Sequence, residues 1–530
     1  MPEKRKLEAT GRSAFLVAAG ILLSRLMGLV RLRIFSHYFG LESDAADAFN
    51  AAFRIPNFLQ NLFGEGVLSA SFIPVYANLL ARQDDEESGR VAGAVFAILA
   101  LTAAVLVAAG VLATPYLIDA IAPGFHGAKR ELTIQIVRVL FPGAGLLVLS
   151  AWCLGILNSH RQFFLSYTAP VIWNVAMIAT LLGFGRRMGL DRLAVTLAWG
   201  SVAGSAAQFA VQLPAVLTLA RRLRISLDIA SANVRTVIKN FVPVFISRGV
   251  VQISAYVDAF IASWLPTGAV TGLTNAQLLY TLPVSLFGMS VSAAELPAMS
   301  SALGSDQEVA DYLRHRLNSG LRQIAFFIVP TAVGFLALGD VIAAALLQTG
   351  RFTHADSLYV WGILAGSTVG LLATTLGRLY SSAYYALRDT RTPLRYAIIR
   401  VALTTALGYL AAIPLPPAIG LDPRWGVAGL TASAGIAGWV EFTLLRRTLN
   451  RRIGQTGLAL GYTARLWIAA IAAAAAGWAV RIAIGHRNPI LAAALILPPY
   501  GAVYFGLAAA LRIEEARALL GRVRSFTPRS

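Results

Sequence analysis

Apolar stretches of about 18 residues or more recur along the whole chain, separated by short polar or basic connections. Fourteen can be drawn: 13–35, 46–80, 91–115, 132–157, 165–185, 193–219, 238–264, 271–298, 320–345, 357–386, 394–413, 426–446, 462–484 and 489–511. About 20 apolar residues at 1.5 Å rise cross ~30 Å of hydrocarbon with every backbone group paired inside the helix. The pattern therefore predicts an all-α polytopic membrane protein of about 14 transmembrane helices. The connection 221–237 is long, basic and polar, and it splits the first twelve helices six and six. The expected organisation is an N-lobe (12–220), a cytoplasmic linker (221–237), a C-lobe (238–450), helices 13 and 14 (451–512) and a tail (513–530). Two such repeats suit a transporter with its site where they meet, near the midplane.

Polar exceptions to this pattern carry the chemistry. Asp47, Asn50, Arg54, Asn57, Asn61 and Glu65 recur at spacings of three and four in the second segment. On a helix they fall within a stripe of ~80°. Ser24, Arg25, Gly28 and Arg31 share a face of ~120° on the segment before it. A charged residue near a bilayer centre costs ~2.5–3.5 kcal/mol, so neither face is expected to meet lipid. A wet, arginine-bearing cavity is the expected use, and it suits an anionic passenger. Prolines fall inside several segments, Pro56, Pro142, Pro170 and Pro330 among them, where kinks are expected rather than breaks. Pro56 interrupts the polar stripe.

Composition agrees: 57% of residues are hydrophobic and 13% charged, and mean hydropathy is +0.66. The net charge of +19 raises nucleic acid as a partner, but the distribution argues against it. Most loop Lys and Arg fall on the side that holds both termini, including Lys4-Arg5-Lys6, Arg221-Arg222 and Arg451-Arg452. Both termini are then expected in the cytoplasm of a bacterial inner-membrane protein. The basic excess reads as topology and lipid headgroup contact. The first segment is too long for a signal-peptide core and is expected to be retained. The single Cys153 excludes an internal disulfide. Six scattered histidines show no metal-ligand spacing and no nucleophile sits beside a base, so no enzyme and no metal are expected.

Several motifs together resemble one family. Ser24-Arg25-Leu26-Met27-Gly28-Leu29-Val30-Arg31 is followed by Asp47-Ala48-Phe49, Arg54-Ile55-Pro56-Asn57 and Phe63-Gly64-Glu65-Gly66. Further on come Ala122-Pro123-Gly124-Phe125, Gly155-Ile156-Leu157-Asn158-Ser159, Leu347-Gln348-Thr349-Gly350-Arg351-Phe352 and Tyr384-Tyr385-Ala386-Leu387-Arg388-Asp389. In order and spacing over 12–450 these resemble the MurJ/MviN lipid II flippases of the multidrug/oligosaccharidyl-lipid/polysaccharide exporter superfamily. The resemblance implies two six-helix lobes around a central cavity, with a final helix pair edging a groove for the lipid tail. It implies transfer of an undecaprenyl-diphosphate-linked peptidoglycan precursor from the cytoplasmic to the periplasmic leaflet; the two-lobe architecture predicts that this proceeds by alternating access. Lipid II, membrane lipids and cell-wall synthesis machinery are the implied partners.

By motif position Arg25 and Arg31 resemble the phosphate-binding arginines, whose planar forks match phosphate oxygens. Asp47, Asn57 and Glu65 match polar cavity positions, and the stripe adds Ser24, Asn50 and Arg54. Competing readings are snorkelling of Arg31 near Tyr38, helix capping by Asp47 and arginine pairing by Glu65. Two departures stand out. Gln60 occupies a usual arginine position, and the run Asn275–Pro283 lacks another. Arg248 is the candidate replacement, with pairing to Glu295 its competitor.

Asp258 matches a family position used by some members for a cation. Arg400 lies ~10–15 Å away in depth and is not expected to be its counter-charge. Nearby Thr404 and Thr405 supply few sodium ligands. Proton or membrane-potential coupling is therefore expected over a sodium site, with no cofactor. The alternative function is export of another polyprenyl-linked glycan or a drug.

Overall fold

The computed structural model describes residues 2–519 except 302–304 and 486. Side chains are described for residue 20 and from 22 onward, apart from 56, 65 and 246–255. The chain divides into two compact units. The first runs to Val270 and takes in Thr349–Phe352; the second is Thr271–Gln348 with the chain from Thr353 onward.

The first unit holds α1 (Pro2–Phe39), α2 (Asp44–Phe63), α3 (Glu65–Ser71), α4 (Ile73–Ala81), α5 (Asp85–Ile121), α6 (Gly127–Ser159), α7 (Phe163–Phe184), α8 (Leu190–Leu219) and α9 (Ala232–Ala262). The chain continues through α10 (Ala269–Pro283), a π-helical turn (Val284–Met289) and α11 (Ser290–Ser300). The second unit adds α12 (Asp306–Leu347), α13 (His354–Thr368), α14 (Leu371–Ala386), α15 (Arg391–Ala412), α16 (Leu415–Ala418), α17 (Gly426–Ile453), α18 (Leu460–Ile484) and α19 (Pro489–Ala510). Among the described residues the only β feature is an isolated bridge between Thr349 and Phe352.

Three expected helices prove to be interrupted. The stretch 46–80 is three helices, because Gly64 is extended (φ −80°, ψ −162°) between α2 and α3. Pro74 then sits in the first turn of α4, where its missing N–H is not needed. The stretch 271–298 passes through the π-helical turn, where Gly288 lies against Thr375. The stretch 357–386 bends by 43° between α13 and α14. At that bend Gly370 meets Gly435 of α17 so closely that a Cβ on Gly370 would lie 2.4 Å from the Gly435 Cα. Small residues let membrane helices approach to this distance.

Ten described helices are long and apolar enough to cross a membrane, or up to eleven with the bent pair α13–α14 as one span. The segments 13–35, 46–80 and 238–264 form α1, α2–α4 and α9 but are not among those ten.

In the first unit Phe35, Phe49, Ile136, Met177 and Leu197 bring α1, α2, α6, α7 and α8 into one core. Leu68, Phe72, Trp152, Val216 and Val234 make a second core that gathers α3, α6, α8 and α9. In the second unit α12 is the central post, and the final pair α18–α19 packs on it through Leu338, Val341, Ala493 and Ile496. Pro330 in α12 has no N–H, which deprives the carbonyl of Phe326 of its helical donor. The Tyr504 hydroxyl of α19 donates to that carbonyl. The proline is thus absorbed by a neighbouring helix.

Candidate functional site

The arginine face of α1 splits into an open part and an enclosed part. Arg25 is exposed, Ser24 is half-buried, and Arg25 makes no hydrogen bond or ion pair with a described residue. Next to it Gly28 faces open space, with nothing within 4 Å of where a Cβ would stand. Arg31, one to two turns further on, is held against α2 and α7. Its guanidinium carbon lies 4.8 Å from the Trp173 ring and 5.5 Å from the Phe53 ring. One guanidinium nitrogen donates to the Met177 sulfur at 3.3 Å. Phe53 and Trp173 stack at 5.6 Å, and the Trp173 indole N–H donates to the Ser201 hydroxyl at 3.1 Å. No described carboxylate pairs with Arg31, and two π faces lie against its guanidinium. Its remaining N–H donors are suited to phosphate oxygens.

The stripe on α2 does not act as one surface. Asp47 is 1% exposed and receives the Lys129 ammonium at 2.9 Å and the Gly268 N–H at 2.9 Å. Lys129 also reaches Asp44 at 3.1 Å, and Thr267 donates to Asp44 at 2.7 Å. The cap of α2 is Ser43, whose hydroxyl accepts from the Ala46 N–H at 3.1 Å, so Asp47 is not the cap. The Asn50 amide donates to the Ala46 carbonyl within its own helix. The Arg54 carbonyl accepts from the Tyr256 hydroxyl at 2.7 Å, and Asp258 lies within electrostatic reach of the Arg54 guanidinium. Asn57 borders a small void beside Phe53, Trp173 and Ser201. Glu65 and Arg248 lie outside the residues whose side chains are described.

One turn beyond Asn57 the first unit opens a polar cavity of about 480 Å³. Gln60, Asn61, Ser69, Ser150 and Gln208 line it. Behind it Ser150 donates to Gln212 at 2.7 Å and receives from Gln208 at 2.9 Å. The amide position that replaces a family arginine, Gln60, therefore faces a pocket whose described lining is neutral and hydrogen-bonding.

Other expected charges find different places. Arg400 pairs with Glu441 at 2.9 Å. Glu295 receives Arg316 through two bonds of 2.8 and 3.0 Å. Among the described residues no group of three His, Cys, Asp or Glu side chains gathers as a metal site.

Sequence reasoning missed Trp173, Met177, Lys129, Ser150 and Gln208. Gln208 and Gln212, four apart in an apolar helix, were a readable signal of a buried polar face. Nothing in the sequence ties Trp173 to Arg31 or Lys129 to Asp47.

These helices define a multi-pass α-helical membrane protein with the fold of the MATE multidrug transporters. A solved structure described as "Lipid II flippase MurJ, inward closed conformation" aligns with a TM-score of 0.76 at 23% identity, covering 96% of this chain and all of that one. An inward-facing multidrug resistance MATE family transporter of the MOP superfamily aligns with a TM-score of 0.65 at 19% identity, covering 83% and 98%. The family described as "Lipid II flippase MurJ" matches residues 35–511. The lipid II flippase MurJ of Burkholderia cenocepacia is 31% identical, covering 83% of this chain and 84% of its own. A protein of Rhizobium meliloti carrying the name "Probable lipid II flippase MurJ" is 31% identical, covering 93% and 90%. The chain belongs to the MurJ lipid II flippase family.

Proposed function

We propose that this protein flips lipid II, the undecaprenyl-diphosphate-linked peptidoglycan precursor, from the cytoplasmic to the periplasmic leaflet for cell-wall synthesis. Family membership over 35–511 carries this reading. The α1 face gives it a chemical basis, since Arg25 is uncompensated by any described residue and the Arg31 guanidinium lies on aromatic faces. In this reading both arginines bind the diphosphate, while Ser24, Asn50, Arg54, Asn57, Glu65 and Arg248 line the headgroup path. Asp47 serves that path by fixing the start of α2.

The architecture belonging to this proposal has fourteen spans: the eleven that pass by length and hydropathy, with α1, α2–α4 and α9. They form an N-lobe (12–220), a cytoplasmic linker (221–237), a C-lobe (238–450) and the pair α18–α19 (451–512), which edges the tail groove. Both termini face the cytoplasm of the inner membrane, and transport proceeds by alternating access. Asp258 is the coupling group. Few nearby oxygen ligands favour a proton or the membrane potential over a bound sodium, and the Arg54 guanidinium within electrostatic reach repels either cation. Cell-wall synthesis machinery is a further partner.

Complementation of a flippase-depleted bacterium tests the function. Wild type should rescue, and Arg25→Ala or Arg31→Ala at matched expression should not. Failure of a well-expressed wild type would overturn lipid II as the cargo. Rescue by both alanine variants would remove the diphosphate from α1. Asp258→Asn, assayed with potential and pH gradient varied independently, should change the dependence of transport on one of them; an unchanged dependence rejects the coupling role.

A further inference from the structure

A second pocket lies outside the arginine face and the polar cavity, on the outer side of α6 and α8. Its volume is about 640 Å³, and Glu131, Gln135, Arg138, Pro142, Asp191 and Trp199 line it. All six are exposed, and Trp199 is 58% exposed. Both helices are long and apolar enough to cross a membrane, which would put this exposed pocket at the lipid boundary.

Arg138 is the unexplained group. It sits eleven residues into α6, or ~16 Å along the helix axis. It makes no hydrogen bond or ion pair with a described residue. A guanidinium ~9 Å inside an apolar segment that begins near residue 132 is costly unless it reaches an anionic group at the headgroup level. Side chains on a helix tilt towards its N-terminus, so Arg138 reaches back towards the start of α6.

The groups are ordered by depth. Glu131 lies two turns nearer the start of α6 than Arg138, and Gln135 lies between them. Asp191 is in the first turn of α8, and Trp199 lies ~12 Å deeper on the same helix. The sequence from the water edge inward is carboxylate, amide, guanidinium, then indole and proline. Asp191 makes no ion pair with a described residue. Glu131 shares Arg130 at 2.9 Å, but that arginine is already held twice by Asp119.

We propose that this pocket binds one membrane phospholipid with a zwitterionic headgroup bearing a primary ammonium, of the phosphatidylethanolamine class. The phosphate sits on Arg138 and Gln135, the ammonium on Asp191 and Glu131, and the acyl chains lie along Trp199 and Pro142. A purely anionic headgroup fits less well, because it would place extra negative charge beside two carboxylates. The site is independent of the cargo path.

The test is native mass spectrometry of the full-length protein, delipidated and then exposed to phosphatidylethanolamine or phosphatidylglycerol with matched acyl chains. Wild type should retain one ethanolamine lipid in preference to the glycerol lipid. Arg138→Gln should weaken that retention about tenfold, the scale of a lost charge-assisted hydrogen bond. Asp191→Asn should narrow the preference between the two headgroups, and it keeps the test open if Arg138→Gln does not fold. Millimolar inorganic phosphate should not displace the lipid, which separates a lipid site from a free-anion site. Equal or better retention of phosphatidylglycerol, displacement by phosphate, or ethanolamine retention unchanged in both variants would each overturn the proposal.

Discussion

The Lys129 ammonium lies 2.9 Å from the Asp47 carboxylate, which is almost fully buried. This pair joins the beginnings of α2 and α6. Through the Gly268 N–H it also joins the turn after α9. Removing one partner of a buried pair leaves an uncompensated charge and typically costs about 3–5 kcal/mol. Asp47→Ala and Lys129→Ala should each lower the thermal midpoint in detergent clearly. Lys129→Met combined with Asp47→Asn should be milder than either alanine variant. A double variant as unstable as the worse single one would mean that the charge pair is not the source of the loss.

Arg31 depends on Trp173 for its position. The cation–π contact is worth about 0.5–2 kcal/mol, which corresponds to roughly two- to thirtyfold in rate if the arginine acts on cargo. Trp173→Leu should slow lipid II transfer within that range, and Trp173→Phe should retain more activity. Both are read as transport at matched expression. Unchanged transport in Trp173→Leu would show that Arg31 needs no aromatic support.

Tyr504 answers a donor that Pro330 lacks. Tyr504→Phe should strand the Phe326 carbonyl and destabilise the protein by about 1–3 kcal/mol. Pro330→Ala restores a backbone N–H to that carbonyl, so Tyr504→Phe should be nearly silent in that background. Thermal melts of the four proteins give the coupling. A Tyr504→Phe effect of equal size in both backgrounds would sever the link.

Asp389, in the loop after α14, is pulled down to about 2 by the Thr392 N–H, the Thr392 hydroxyl and Arg452. Its depressed value means that its contribution to stability is fully present above the unfolded carboxylate range, near ~4, and is lost as pH falls through about 2. Asp389→Asn should therefore lower the thermal midpoint at pH 7 and have a smaller effect on acidification. A difference from wild type that does not shrink as the pH is lowered would contradict this.

The candidate site residues are legible in the sequence because polar residues in apolar segments are conspicuous. Arg25 and Arg31 stand out against an apolar helix by composition alone. The stripe on α2 was legible as a stripe but not as three different fates. Asp47 is locked to Lys129, Asn50 bonds its own helix, and Arg54 lies within electrostatic reach of Asp258. Periodicity reports which residues share a face and says nothing of which neighbour covers each part of it. Interruptions were under-read for a related reason. Gly64 and Pro74 mark a possible break, but whether a helix bends or stops there is set by what packs around it.

The sequence by itself determined the all-helical, multi-pass membrane class and singled out an arginine-bearing face, because in hydrocarbon the backbone must pair within each segment and charge must be justified. The tertiary structure decided which charge meets which group. Trp173 lies more than a hundred residues from Arg31, and Lys129 some eighty from Asp47. The Thr349–Phe352 turn docks on His37, with the Arg351 N–H donating to its carbonyl at 2.9 Å. Such pairings are fixed by helix packing across long stretches of chain, and no local pattern of residues records them.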